Sequence, residues 1–452
     1  MTTGKPFFIP RSLAVLSALA LSTTCPADVR AQDGGAFPSI VQPLPKTWID
    51  AETGHRVIRL TDEPGSDSFY FNVNPYTPDG KEMAYTTADG SIGVVDLTDP
   101  NFKTRIAIHG PVRSIVVGHK TPTIYYSKRS GDADVSELWC ANLGTGASRK
   151  IADLPPRASV VTINCDETLG AGTFVEGDAI GAGVYGGKKT GTYGRMGSLN
   201  LGEPSNKTEM MAQRLAERLP MTMFTVDLNT GKTSVIMEHQ TDWLNHLQFS
   251  PVDPNFLMYC HEGSGWRVDR IWTVRTDGTE NTMIPDEPGR NRIMETELAG
   301  HEWWSPDGRT IYVDLHLLKG VVGFLAEYNL DTKKHTWYHY EQNEWQIHFN
   351  LSPDGKTFCG DGAGRPGNQW IYLLHPEVIP DDKTMGTDLI RGGVLRPEKL
   401  CSLSRTDLHG AHNFRLEPNA SFTPDQKYIV FRSNMFGPDY AFAVEVAKSA
   451  SP

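Results

Sequence analysis

Short apolar runs rich in β-branched and aromatic residues recur along the chain, and each sits directly after the same kind of turn. Met83-Ala-Tyr-Thr86 follows Tyr76-Thr-Pro-Asp-Gly80, and Phe256-Leu-Met-Tyr259 follows Phe249-Ser-Pro-Val-Asp-Pro254. Thr310-Ile-Tyr-Val313 follows Trp304-Ser-Pro-Asp-Gly308, and Thr357-Phe358 follows Leu351-Ser-Pro-Asp-Gly355. Tyr428-Ile-Val-Phe431 follows Phe422-Thr-Pro-Asp425. Two degenerate copies lie between the first and second: Val117-Gly-His-Lys-Thr-Pro122 before Thr123-Ile-Tyr-Tyr126, and Asn164-Cys-Asp-Glu167. Pro presets φ, Asp bonds its own backbone and Gly accepts positive φ, so Pro-Asp-Gly predicts a tight turn between two strands.

A second marker predicts a hairpin further into each unit. It appears as Val95-Asp-Leu-Thr98, Ala141-Asn-Leu-Gly-Thr-Gly146, Val226-Asp-Leu-Asn-Thr-Gly231 and Tyr328-Asn-Leu-Asp-Thr332. One unit is then a four-stranded antiparallel sheet of roughly 40–50 residues, too long a period for a β-solenoid. Repeated from Lys46-Thr47 onward, the units predict an all-β fold, a seven-bladed β-propeller of four-stranded antiparallel blades. The rhythm breaks once, in an insertion over residues 173–218. It opens Gly-rich, with Gly181-Ala-Gly-Val-Tyr-Gly-Gly187, and ends in Thr208-Glu-Met-Met-Ala-Gln-Arg-Leu-Ala-Glu-Arg218. The last stretch has helix formers behind a Thr N-cap. No Lys-Ser/Thr follows the glycines at phosphate-loop spacing.

Composition narrows the partners. The net charge of −11 argues against non-specific nucleic-acid binding, but a local His and Arg cluster can still receive an anionic sugar. The N-terminus reads as an export signal. Lys5 and Arg11 precede the apolar run Ser12–Ser22, and Val29-Arg30-Ala31 offers a cleavage site. Residues 1–31 are therefore expected to be removed, leaving 32–452 as one propeller domain in the periplasm or outside the cell. No later stretch predicts a transmembrane helix. The five cysteines beyond that segment form no CxxC pair, and an odd count leaves at least one thiol unpaired.

Histidines mark the candidate chemistry. Trp243-Leu-Asn-His246, Gly300-His301-Glu-Trp-Trp304 and Trp345-Gln346-Ile-His348-Phe-Asn350 each lead into a Ser-Pro turn, and Cys260-His261-Glu262 ends the strand after the first of them. His246, His301 and His348 occupy similar offsets from their turns, on the strands expected to line the channel. Gln346, His348 and Asn350 alternate with Ile347 and Phe349, so on a strand all three share one face. With His301 from the preceding blade they make a candidate N/O metal site.

These segments resemble the oligogalacturonate lyase family. The resemblance is carried by His246-Leu-Gln-Phe-Ser-Pro, Tyr-Cys-His261-Glu-Gly, His301-Glu-Trp-Trp-Ser-Pro-Asp-Gly, Thr53-Gly-His-Arg-Val-Ile-Arg-Leu-Thr-Asp62 and Tyr70-Phe71. It implies a lyase that cleaves oligogalacturonides by β-elimination with a divalent cation, often manganese. His246 would be the base, and His301, Gln346 and His348 metal ligands. Asn350 would stand where the family has a second histidine. Arg218, or Arg214 one helical turn earlier, would neutralise the substrate carboxylate, and Arg270 and His261 would orient substrate or base. The segment Glu417-Pro-Asn-Ala-Ser-Phe422 lacks the histidines the resemblance leads one to expect. Two other readings fit the repeats: a lyase for another uronate polymer, and a non-enzymatic periplasmic binding propeller related to the translocation protein TolB.

Overall fold

Turn chemistry is realised almost residue by residue. Thr77 and Ser352 donate their hydroxyls to Asp79 and Asp354 at 2.8 Å, and Thr423 does the same to Asp425. Gly80, Gly308 and Gly355 take φ of 69°, 67° and 72°, while Gln426 takes the same left-handed place at 61°. In the hairpins, Asn142, Asp227 and Asn329 each bind the backbone N–H and hydroxyl of a Thr three residues on. Short polar side chains thus satisfy the backbone groups that each sharp turn would otherwise orphan.

The computed structural model describes residues 44–131, 135–175, 216, 218, 220–240, 242–262, 268–285, 298–317, 322–362, 369–380, 390–403 and 416–448. The expected leader and most of the 173–218 insertion, Arg214 included, lie outside the described residues. Among the described residues, no helix is long and apolar enough to cross a membrane.

The strands form antiparallel sheets in chain order. Four-stranded sheets span Arg113–Asp153, Ser159–His239 and Trp243–Met283. A three-stranded sheet spans Glu82–Ile108, extended by an isolated bridge from Tyr76 to Met83. Two further antiparallel quartets, Leu298–Tyr340 and Phe349–Ser402, join edge to edge where Lys334–Tyr340 runs parallel to the start of Ile390–Ser402. The last sheet combines both ends of the unit Leu44–Pro452. Thr47–Ile49 pairs with Arg56–Arg59, which pairs with Tyr440–Glu445, followed by Tyr428–Ser433 and Ser421–Phe422.

Packing explains the order. Each buried apolar cluster is shared by two consecutive sheets. Ile115, Leu138 and Ala152 meet Val160, Phe224 and Val226, whose own sheet then gives Met223 and Ile236 to Leu247, Leu257 and Val274. The series closes on itself, with Leu373 and Leu400 against Phe431 and Val444, then Ile58 and Val430 against Met83 and Tyr85. First strands of neighbouring sheets also touch, as Ser159–Ile163 does with Trp243–Phe249 and Phe349–Leu351 with Ser421–Phe422. This is the propeller arrangement, with first strands innermost. Gly172 shows how closely strands approach: a methyl group there would lie 1.8 Å from the Ser159 carbonyl oxygen.

One core histidine predicts acid sensitivity. His335, on Lys334–Tyr340, is 3% exposed, and burial pushes its imidazole down to about 4. An unfolded histidine titrates near 6.5, so below that pH the unfolded chain binds a proton that the folded chain refuses. Stability is therefore lost as pH falls from about 6.5 toward 4. Melting temperatures of His335→Gln should fall less steeply across that window than those of the unsubstituted chain; parallel slopes would contradict this.

Candidate active site

Two of the three channel histidines owe their direction to a bulge. The innermost strand Trp243–Phe249 slips register against Phe256–Glu262 between Asn245 and Gln248, and His246 takes φ of 52°. Leu298–Trp304 slips identically between Gly300 and Trp303, with His301 at 50°. Asn419 takes 56° at the same offset before the last turn. Left-handed φ is uncommon outside glycine, and bulges of this kind re-aim a side chain.

His301 and His348 are brought together, with ring centroids 4.9 Å apart and edge to face. Phe71 packs on His348 at 4.9 Å and on His301 at 6.5 Å, and Tyr70 lies 5.1 Å from His348. The Tyr70-Phe71 pair therefore floors the site, a role that aromatic residues in a loop do not announce in sequence.

Each of these histidines is held by a buried carboxylate. His301 Nδ1 lies 3.2 Å from Asp314 Oδ2, and His348 Nδ1 lies 2.9 Å from Asp361 Oδ2. Asp361 also accepts the backbone N–H of His348 at 3.1 Å. Asp314 is shared with His316 Nε2 at 2.6 Å and the Tyr340 hydroxyl at 3.2 Å. Burial alone would raise both carboxyls, but the neighbouring histidines hold them below the ordinary carboxylate range. The two aspartates are repeat equivalents. Trp304 pairs Ile311 and Leu351 pairs Phe358, and each Asp stands three residues further along. In the His246 sheet, where Phe249 pairs Leu257, that place is Cys260. His246 has a different environment: it is 37% exposed, and its Nε2 lies 3.9 Å from the buried Glu262.

With Nδ1 committed, Nε2 is the nitrogen left for a cation, the usual arrangement of a metal-binding histidine. The donors fit. His348 Nε2 and Gln346 Oε1 are both buried without a hydrogen-bond partner among the described residues. Gln346 and His348 are fully buried, and the Gln346 amide is oriented by donating to the Glu344 carbonyl at 2.6 Å. Orphaned buried acceptors cost about 1–3 kcal/mol each, so a ligand that uses them offsets a real penalty. Glu417 Oε2 stands 3.8 Å from His348 Nε2. It precedes its turn proline by the same seven residues as Gln346, a signal that was available in the segment read above only for its missing histidines.

Other expectations need correction. The strand begins at Phe349, after a 3₁₀ turn at Gln342–Glu344, so Gln346 is presented by a loop and not by strand alternation. Asn350 leaves the expected ligand set. Its Nδ2 donates to the Phe71 carbonyl and its Oδ1 accepts the Phe422 N–H, each at 3.1 Å, which ties one sheet to the next. Gln248 does the same at the same offset, donating to the Glu302 carbonyl at 2.7 Å. His261 is buried, bonded to Asp242 and stacked on Trp272, so it does not offer itself to substrate. Arg270 is also buried, and its carbonyl accepts the His261 N–H at 2.7 Å. Arg218 is exposed, with φ of 51°. The five cysteines from Cys140 to Cys401 are all free thiols, and burial pushes Cys260, Cys359 and Cys401 well up, leaving them unreactive.

A propeller in which the His301 and His348 rings meet, each held by a buried carboxylate, with Glu417 beside His348, presents a candidate metal site. The model of the oligogalacturonate lyase family matches residues 215–450, more than half of the chain, and the chain belongs to that family. It is 26% identical over 230 residues to an oligogalacturonide lyase of Pectobacterium atrosepticum, covering 50% of this chain and 55% of that protein. An oligogalacturonate lyase of Dickeya dadantii is 26% identical over 228 residues, with the same coverage. The chain thus spans about half the length of these relatives. In fold it is similar to an oligogalacturonate lyase solved in complex with manganese, with a TM-score of 0.67, 20% identity, and 89% of this chain and 96% of that one covered. The oligogalacturonate lyase of Vibrio parahaemolyticus gives a TM-score of 0.66 at 21% identity, with 90% and 97% covered.

Proposed function

We propose that this chain is a metal-dependent lyase that cleaves oligogalacturonides by β-elimination, releasing unsaturated uronate ends. The observation that carries it is the pair of orphaned buried donors, Gln346 Oε1 and His348 Nε2, beside a second carboxylate-held histidine. His301, Gln346 and His348 would hold a divalent ion, with manganese suggested by the relative solved with it, and Glu417 completes one side.

The chemistry suits these residues. The C5 proton of a 4-linked uronate is weakly acidic while the adjacent carboxylate keeps its charge, so that charge must be neutralised. A bound divalent ion supplies Lewis acidity to the carboxylate. Arg218, or Arg214, would add a bidentate partner. His246 is the one of the three channel histidines without an aspartate at its repeat-equivalent position, and its partial exposure leaves it able to accept a proton from substrate. A hydrolase would need two carboxylates flanking the bond, and Glu262 and Glu302 are 2% and 1% exposed.

The reading extends to architecture and location. Consecutive sheets sharing clusters in a closed series support seven blades, with the joined quartets Leu298–Tyr340 and Phe349–Ser402 counted separately. Export with cleavage near Ala31 completes it. The deciding assay follows ultraviolet absorbance of the unsaturated product with oligogalacturonides and manganese. A steady rise that chelator abolishes is expected. No rise with the folded, manganese-loaded protein overturns the substrate, and a rise on another uronate oligomer would reassign it.

A further inference from the structure

A second group of potential ligands lies outside the channel set. His239 ends the strand Thr233–His239, the outer strand of one sheet. Asp242 lies in the connection to the next sheet, and His261 is on Phe256–Glu262 of that sheet. One ligand atom from each lies within 4.8 Å of the others. Asp242 Oδ2 is 2.9 Å from His261 Nδ1 and 3.7 Å from His239 Nε2, so in the metal-free protein the proton that His261 Nδ1 shares with Asp242 holds the place of the ion, and binding releases it. The two rings stand 4.7 Å apart.

We propose that His239, Asp242 and His261 bind a second divalent transition-metal ion, of the borderline class that zinc typifies. Two imidazoles and one carboxylate are a zinc-type donor set, and three protein ligands leave a fourth position for water. The site is built in advance. Trp272 stacks on His261 at 5.0 Å with planes 16° apart, which fixes the ring. His261 is 8% exposed at its side chain, whereas His239 and Asp242 are 20% and 22% exposed, so an ion has an entry path.

The position states the role. Such an ion would join the outer strand of one sheet to the second strand of the next. It would also pin the connection that enters Trp243–Phe249, four residues before His246. It is therefore a clamp that positions the base-bearing strand, and does not touch substrate.

The test uses the full chain, stripped with chelator and titrated with zinc and with cobalt(II). The readouts are bound metal by elemental analysis, the cobalt ligand-field band and the melting temperature. Two zinc ions per chain are expected at saturation. His239→Ala and Asp242→Asn should each lose one, weaken cobalt binding by at least about 10–100-fold and lose the zinc-induced rise in melting temperature. His301→Ala should retain the cobalt band of the clamp. The clamp is overturned if folded His239→Ala and Asp242→Asn keep the metal content of the unsubstituted chain, or if the stripped chain binds one zinc that His301→Ala abolishes; either result makes the three residues a hydrogen-bonded group only. Failure of the channel reading would show separately, as unchanged metal content in His301→Ala.

Discussion

His246→Ala is expected to lose turnover on oligogalacturonides by about 10²–10⁴-fold, the usual contribution of a positioned base, while keeping its channel metal and its fold. His246 is partly exposed and takes no part in the buried carboxylate pairs around His301 and His348, so its removal leaves those intact. Backbone strain complicates the alanine variant, since His246 sits at φ of 52° and alanine tolerates that conformation poorly. His246→Asn is the better probe: asparagine enters the left-handed region more readily, and Asn419 already occupies it at the same offset. Loss of turnover in both variants, with unchanged melting temperature, identifies a base. Near-normal turnover in folded His246→Asn would reject it.

Channel manganese affinity in His301→Ala should fall by at least about 10–100-fold, measured as free ion in an electron paramagnetic resonance titration. Removing the His301 ring leaves Asp314 with His316 and Tyr340 as partners, but alanine is strained at the φ of 50° there as it is at His246, so His301→Asn is measured beside it. His348 is the poorer target: it is fully buried against fully buried Asp361, and stripping the partner from such a charge typically costs about 3–5 kcal/mol. Gln346→Met separates ligand from structure. The unpartnered Oε1 goes together with the Nε2 hydrogen bond to the Glu344 carbonyl, so the metal-free protein should lose about 0.5–1.5 kcal/mol while manganese binding weakens at least about 10-fold. Wild-type affinity in the His301 and Gln346 variants would empty the channel site of its proposed role.

Much of the blade pattern could be read from turns alone, because Thr77-Pro-Asp-Gly and its relatives bond locally and need no tertiary context. The histidine offsets were equally legible, since a repeat that fixes the turn fixes what stands five residues before it. Face assignment failed where the strand was shorter than assumed: alternation has no meaning for Gln346, which precedes the strand. Asn350 shared a residue type with metal ligands but an offset with Gln248, and offset proved the better guide. Asp314 and Asp361 were hidden because pairing across strands, not neighbourhood in sequence, brings them to their histidines. His239 and His261 meet only because two sheets pack side by side, which no local pattern encodes.

The sheet that unites Arg56–Arg59 with Tyr440–Glu445 has a consequence for a nicked chain. This sheet joins the two ends of the described unit, and its Val57–Val444 pairing spans almost the whole of it. Closing so long a loop is slow more than it is costly, since loop entropy grows only logarithmically with length. Once closed, the circuit has no free end to peel from. A single proteolytic cut in any connecting loop should leave both fragments held, each by one seam of ordinary sheet packing and by the terminal sheet as the second. Joining the old termini and opening the chain at such a loop should likewise give a permuted protein with the same circuit.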